Sequence, residues 1–358
     1  MAYEYCYQDL REKLASVNGG ILLVSGKSLE KTGLLEKVPE LAFSNVVRFS
    51  DFTENPELGE VVDGLALFNS SNVELIVAVG GGTAMDIAKL IKYYSNTKLS
   101  SHAQVPPVQS EVGSCELIAI PTTFGTGSEA THFSVVYVNG DKFSVADQKM
   151  LPDGYLLDHE LAESLPKKVK ASAALDALCQ SIESYWSNGS TGESRKFAGQ
   201  AIKNIAPNFE GYLCGDSNAA ESIASAAHLA GKAINISKTT APHALSYTLT
   251  SKFGVPHGHA VALCIRKIFE LHEVKDSALG IHAKQKGLYE AIGVETAQQV
   301  EQLLNYFMLL ADLEIDLACL GVCSDEDRQV IVDSVNVERL ANHPVELTAD
   351  DLFELLKD

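Results

Sequence analysis

Asp176 and Gln180 stand four residues apart in a segment whose apolar residues recur every three or four positions, which places both side chains on one helical face. His243 and His257 follow; the pair is expected to flank a short helical stretch, with Pro256-His257-Gly258 setting the second at a break in structure. One carboxylate and two imidazoles suit Zn or Fe(II), leaving a coordination position for water or a substrate oxygen. Spacing alone leaves the plainer alternative open, because two histidines 14 residues apart are usually unconnected. His259 lies two residues further on, points elsewhere on this spacing, and reads as structural.

A second kind of chemistry is written in Leu75-Ile-Val-Ala-Val-Gly80-Gly81-Gly82-Thr83-Ala84-Met85-Asp86-Ile87-Ala88-Lys89, a strand, three glycines and a helix start. Glycines let backbone approach a ligand closely, and the N–H groups of a first helical turn suit a pyrophosphate. The spacing matches neither G-x-G-x-x-G nor a P-loop, so a tight strand-to-helix turn without ligand is the competing reading. The loop Pro121-Thr122-Thr123-Phe124-Gly125-Thr126-Gly127-Ser128-Glu129 follows the next strand with hydroxyls and small residues. Two such loops at the ends of neighbouring strands favour a dinucleotide site.

The elements that must position these residues fall into two halves, 1–158 and 159–358. In the first, Ile21 to Val24, Val46 to Phe49, Leu75 to Val79 and Leu117 to Ile120 read as buried strands alternating with helices, the pattern of a parallel α/β sheet. Phe133 to Tyr137, Asn139-Gly140-Asp141 and Phe143 to Val145 read as a hairpin, Asn-Gly supplying the positive φ of a tight turn. The second half is helical: Ser172 to Trp186, Ala219 to Ile234, Ala297 to Leu310 and Ser324 to Val335 carry the three-and-four spacing. Ser324 with Asp327 makes a capping box, and Thr348 caps a last helix, Asp350 to Leu356.

Over 358 residues, 28 Lys and Arg against 47 Asp and Glu give a net charge of −19, which argues against nucleic-acid and membrane-surface roles. No apolar run reaches the roughly 18 residues of a membrane span, and MAYEYCYQDLREKL has neither the basic nor the apolar region of a signal peptide. Seven cysteines, Cys6, Cys115, Cys179, Cys214, Cys264, Cys319 and Cys323, form no C-x-x-C pair and read as reduced thiols. The expected location is the cytoplasm.

Taken together and in order, GGGTAMDIAK, PTTFGTGSEAT, LDALCQSIESYWS, APHALSY and VPHGHAVAL resemble the iron-containing, or group III, alcohol dehydrogenase family, from about Gly20 to ERLANHPVELTADDL. The resemblance implies an α/β N-terminal dinucleotide-binding domain, an all-α C-terminal domain, and a divalent metal facing a nicotinamide. The related dehydroquinate synthase-like build is the non-redox rival, and a metal-free nucleotide-binding module is a second. Within the family, RFSDFTENP, the Gln of DALCQSIESYWS and KTTAPHALSY are most similar to the phosphonoacetaldehyde reductases, which make 2-hydroxyethylphosphonate. Another short-chain aldehyde, alcohol or polyol is the alternative substrate.

Carried over residue by residue, the resemblance assigns Gly80, Gly81, Gly82 and Thr83 to the pyrophosphate, with Asp86 and Lys89 behind them. Asn55, Thr122, Thr123, Thr126 and Lys142 fall where the family contacts adenine, ribose or nicotinamide. Asp176, His243 and His257 match metal ligands; Gln180 stands where many members have a fourth, histidine, ligand, which leaves Fe(II) and Zn both open. Tyr247 replaces a histidine near the nicotinamide and is a proton donor or a packed phenol. Gly26 replaces an acidic residue that holds the ribose 2′-hydroxyl in NAD-specific relatives, so NADPH joins NADH as cofactor, with Lys27 and Ser28 adjacent. Lys238 is the first cation proposed for the phosphonate, ahead of Arg195 and Lys252; a solvated helix-end lysine is its competing reading. A homodimer is the family's implied assembly.

Overall fold

A computed structural model describes residues 2–97, 99, 115–139, 141–275, 281–335 and 337–357. It divides into two compact units, Met1–Thr123 with Gly127–Ser164, and Phe124–Thr126 with Leu165–Asp358. Among the described residues no helix is long and apolar enough to cross a membrane.

The first unit contains β1 (Tyr3–Glu4), β2 (Gly20–Ser25), β3 (Val46–Phe49), β4 (Val73–Gly80), β5 (Glu116–Pro121), β6 (Phe133–Val138), β7 (Asp141–Ala146) and β8 (Gly154–Tyr155). Six of them form a parallel sheet in the order β1-β8-β5-β4-β2-β3. Successive strand residues point to opposite faces, and here both faces are covered. Leu22, Val24, Ile76, Ala78, Leu117 and Ala119 join one core with Met85, Ile87 and Ile91. Ile21, Leu23, Leu75, Val77, Ile118 and Ile120 join another with Leu10, Leu14 and Leu34. That double burial is why these strands are unbroken apolar runs rather than alternating ones.

The same unit carries α1 (Tyr7–Ala15), α2 (Leu34–Lys37), α3 (Leu58–Ser70) and α4 (Gly82–Tyr94). Parallel pairing aligns Ser25 with Val79 and Gly80 with Pro121, so the turns after β2, β4 and β5 leave the sheet at one edge. Strands β6 and β7 pair antiparallel as expected, with Asn139 at φ +54°; Gly140 of that turn lies outside the described residues.

The second unit is helical among its described residues: α5 (Lys167–Trp186), α6 (Gly192–Leu213), α7 (Ser217–Ser237), α8 (Ala241–Phe253), α9 (His257–Ile265), α10 (Ile268–Lys275), α11 (Ile281–Ile292), α12 (Ala297–Leu310), α13 (Asp325–Asp333), α14 (Val337–Ala341) and α15 (Ala349–Leu355). The expected caps form, Ser324 with Asp327 and Thr348 with Asp351. Helix α6 is not among the four segments named as helices, and the stretch between the two histidines is helical as expected: His243 lies in the first turn of α8, and His257 follows the break after it and opens α9. Left-handed Gly254 ends α8, and Pro256 restarts the chain as the residue before α9.

Candidate functional site

Helix α5 is buried almost all round, yet its interior includes Ser172, Asp176, Gln180 and Glu183. Steps of four, four and three put those polar side chains on one face. The N-terminal turns of α8 and α9 bring the histidines to it. Asp176 Oδ1 lies 3.3 Å from His243 Nε2 and 3.9 Å from His257 Nε2. The three donor atoms lie within 4.8 Å of one another, a separation one ion can bridge. The approach depends on Gly258: a Cβ there would sit 1.9 Å from the Ser172 carbonyl oxygen and 2.7 Å from Asp176 Cβ.

A buried Glu183 prepares this cluster. Its Oε1 accepts from the Thr240 N–H and hydroxyl, both at 2.9 Å, and from the His243 N–H at 3.3 Å. The two N–H groups are orphan donors at the α8 N-terminus, and a carboxylate there both satisfies them and faces the positive end of the helix. Its Oε2 is hydrogen-bonded to His243 Nδ1. With a proton held on Nδ1, Nε2 is the atom that would turn its lone pair to an ion beside Asp176 by giving up its own proton, the carboxylate–histidine arrangement that orients metal ligands. Burial alone pushes the His243 imidazole down, but the Glu183 and Asp176 carboxylates overcome this and hold its pKa up at about 9. The donor chemistry, the spacing and this outer carboxylate all fit a divalent ion held by Asp176, His243 and His257.

Tyr247, one turn beyond His243, stacks against His257 at 6.1 Å between ring centroids and 22° between planes. Burial raises its phenol pKa, while a hydrogen bond and the positive charge of Arg339 on α14 oppose the rise. Gln180 is buried, and its amide nitrogen donates to the Gly125 carbonyl at 2.6 Å, which leaves the amide oxygen as the atom suited to a cation. Thr126 belongs to the same unit. His259 turns away, its Nε2 against the Glu314 carbonyl at 2.6 Å.

The structure does not gather the expected anion-binding cations. Lys238 ends α7 with left-handed φ (+59°), its side chain about half exposed and its ammonium on Glu338. Arg195 bonds Ser190, and exposed Lys252 lies over the Phe253 ring. Glu183 and Arg339 went unread in the sequence. The first had a signal, since it continues the Asp176–Gln180 face; the second had none.

In the first unit, the three-glycine turn has the geometry its residues suggest. Gly80 adopts φ +153°, where a Cβ would meet Ala84 at 2.8 Å, and a Cβ on Gly81 would meet Thr123 Oγ1 at 2.9 Å. Gly82 opens α4, and Thr83 Oγ1 donates to the Glu54 carbonyl at 2.7 Å, drawing the Asn55 loop to the same turn. The Thr122 N–H donates to Gly80 O at 2.9 Å. Asp86 instead accepts from Ser128 Oγ and the Val135 N–H, both at 3.1 Å, tying the second loop to α4. Buried Lys89 does the same through Ser128, Thr131 and Phe133 O, at 2.8 to 3.0 Å. Lys142 is exposed on β7. A Cβ on Gly26 would make only an ordinary contact with Ser28 Oγ, at 3.9 Å, and Arg48 Nη2 donates to the Gly26 carbonyl at 2.7 Å.

The chain is similar in sequence and fold to known proteins. Residues 3–159 match the sequence profile described as iron-containing alcohol dehydrogenase, and residues 170–358 that described as Fe-containing alcohol dehydrogenase family, C-terminal. Lactaldehyde reductase of Escherichia coli K12 is 26% identical over 354 residues, covering 93% of this chain and 90% of that protein. Phosphonoacetaldehyde reductase of Streptomyces viridochromogenes is 32% identical over 206 residues, 54% of this chain and 52% of that protein. The crystal structure of sulfoacetaldehyde reductase from Bifidobacterium kashiwanohense in complex with NAD+ superposes with a TM-score of 0.89 at 26% identity, covering 99% and 96% of the two chains.

Proposed function

The chain belongs to the iron-containing alcohol dehydrogenase family, and from that premise we propose that it reduces phosphonoacetaldehyde to 2-hydroxyethylphosphonate in phosphonate biosynthesis, in the cytoplasm. It is an NAD(P)-dependent oxidoreductase of the alcohol–aldehyde class. The observation that carries the reading is the convergence of Asp176, His243 and His257 with Tyr247 stacked beside them. The likeness to a phosphonoacetaldehyde reductase and a sulfoacetaldehyde reductase, whose names both specify a two-carbon aldehyde with an anionic group, supports the substrate class.

A bound Fe(II) or Zn supplies Lewis acidity toward a carbonyl oxygen. Asp176, His243 and His257 would hold it, with the Gln180 oxygen as a fourth donor and Glu183 keeping His243 in the ligating tautomer. A bound reduced nicotinamide would supply hydride for the carbonyl carbon, and the oxygen needs a proton to complete the alcohol. Tyr247 is assigned that proton: a guanidinium only donates, so in its bond with Arg339 the phenol accepts and keeps its own hydrogen for another oxygen. In the first unit, Gly80 to Thr83 receive the pyrophosphate, with Asn55, Thr122, Thr123 and Lys142 around the rest of the dinucleotide. Gly26, without a carboxylate, and Arg48 beside it support acceptance of NADPH. Edge strand β1, with Tyr3 exposed, is the seat proposed for homodimer pairing.

The test is turnover by anaerobically prepared, metal-quantified protein with phosphonoacetaldehyde, using NADPH and then NADH, against propionaldehyde. Phosphonate-dependent turnover abolished by chelator is the expected result. The second reading, a neutral aldehyde substrate, is favoured by the lactaldehyde reductase alignment over 93% of the chain. Equal or faster reduction of propionaldehyde would establish it instead.

A further inference from the structure

An anionic substrate needs a cation where its charged group rests, and the carboxylates of Asp176 and Glu183 make the side chains around the two histidines acidic. Lys238, the obvious choice from sequence, is engaged at the surface by Glu338. The neighbouring residue on α14 turns the other way: Arg339 hydrogen-bonds Tyr247, whose ring stacks on His257. A guanidinium has five N–H donors in a rigid fork, so one can hold the phenol while others meet two oxygens of a phosphonate or sulfonate.

The segment carrying Arg339 is anchored to the loop that leads into α8. Asn342 donates to Ser237 O at 2.8 Å and to Thr239 O at 3.0 Å, and its Oδ1 accepts from the Gly189 N–H at 2.9 Å. Asn188 accordingly binds the carbonyls of Ala341 and His343. The ion pair between Lys238 and Glu338 adds a further tie and offsets the acidic neighbour of Arg339. A cation held this firmly, one side chain away from a metal-ligand set, is preorganised rather than recruited.

We propose that Arg339 is the specificity-determining residue of this site, binding the anionic group of the aldehyde through its guanidinium fork while holding the Tyr247 hydroxyl. The inference rests on the reductase reading above and names the residue that discriminates within it. The relevant ligands are tetrahedral oxyanions on a short carbon chain, phosphonate and sulfonate alike; the two arms of the assay distinguish them.

The experiment compares wild type, Arg339→Met and Arg339→Lys with phosphonoacetaldehyde, sulfoacetaldehyde and propionaldehyde, and measures the melting-temperature shift that ethylphosphonate and ethanesulfonate produce. Loss of charge-assisted hydrogen bonds predicts that Arg339→Met lowers kcat/KM for the anionic aldehydes roughly 10- to 150-fold, mainly through KM. Propionaldehyde should fall only a few-fold, through the lost Tyr247 partner, and the thermal shift by ethylphosphonate should disappear. Arg339→Lys should recover part of the anion preference, because a point charge replaces a planar fork. If Arg339→Met does not fold, the lysine variant alone must raise KM for the anion selectively. Equal losses on anionic and neutral aldehydes, in a wild type that prefers the anion, overturn the inference and leave the reductase reading standing. A wild type without anion preference overturns both.

Discussion

Glu183→Gln isolates the contribution of a carboxylate that touches neither substrate nor ion. The amide oxygen can keep the position of Oε1 and continue to accept from Thr240 N, Thr240 Oγ1 and His243 N, now at 2.9, 2.9 and 3.3 Å. The amide nitrogen then replaces Oε2 opposite His243 Nδ1, and it donates where the carboxylate accepted. Nδ1 must become the acceptor, which moves the imidazole proton to Nε2, the atom 3.3 Å from Asp176 Oδ1. A protonated Nε2 cannot ligate. Outer-shell changes of this type cost about 10- to 100-fold in metal affinity, equivalent to about 1.4–2.7 kcal/mol. Chelator competition at fixed pH measures that affinity, and thermal unfolding of the metal-free proteins supplies the control. Because the number of hydrogen bonds is preserved, metal-free Glu183→Gln should melt close to wild type. Glu183→Ala, which orphans several buried donors at about 1–3 kcal/mol each, should not. Wild-type metal affinity in Glu183→Gln would refute the tautomer argument and reduce Glu183 to a cap of α8.

Three further outcomes follow from packing and charge. Gly258→Ala must push α9 away from Ser172 O, which its Cβ would approach to 1.9 Å; a loss of about 1–3 kcal/mol in stability, accompanied by a lower metal content, is expected in denaturant titration and metal analysis. Burial depresses Lys89 to about 8 against the pull of Asp86 and Glu129, so above that pH the folded protein has released a proton the unfolded chain keeps until roughly pH 10.4. Stability from this group therefore rises with pH through that window, and the wild-type advantage over Lys89→Met in urea unfolding should grow from pH 7.5 to pH 10; a level or shrinking difference refutes the assignment. Gly26→Asp fits without strain, the nearest atom to its Cβ being Ser28 Oγ at 3.9 Å, and should raise KM for NADPH roughly tenfold or more over NADH by repelling a 2′-phosphate; an unchanged cofactor ratio would remove position 26 from the ribose site.

What was legible in the sequence is local, and what was not is decided by contacts far along the chain. The strands could be read because burial on both sheet faces leaves continuous apolar runs, as at Ile76 to Val79. Helix α6 was hidden by Gly199, Pro207 and Gly211, each unfavourable in a helix, although its buried residues Ala198, Ile202, Ile205, Phe209 and Tyr212 keep the helical spacing. Packing of that stripe overrides propensity. Glu183 resembles a solvated helix glutamate until the N-terminus of α8 is laid against it, and only then does its carboxylate acquire four partners. Lys238 and Arg339 show the same principle from opposite sides. Lys238 lies five residues before His243 in sequence, but a left-handed φ at that position ends α7 and its ammonium finds Glu338. Arg339 lies 92 residues after Tyr247, yet Asn342, bonded to Ser237 O and Thr239 O, fixes its segment beside the same turn. A cation five residues from a ligand in sequence is thus engaged at the surface by Glu338, while one 92 residues from Tyr247 has its segment fixed beside the same turn by three hydrogen bonds between backbone groups and a single asparagine side chain.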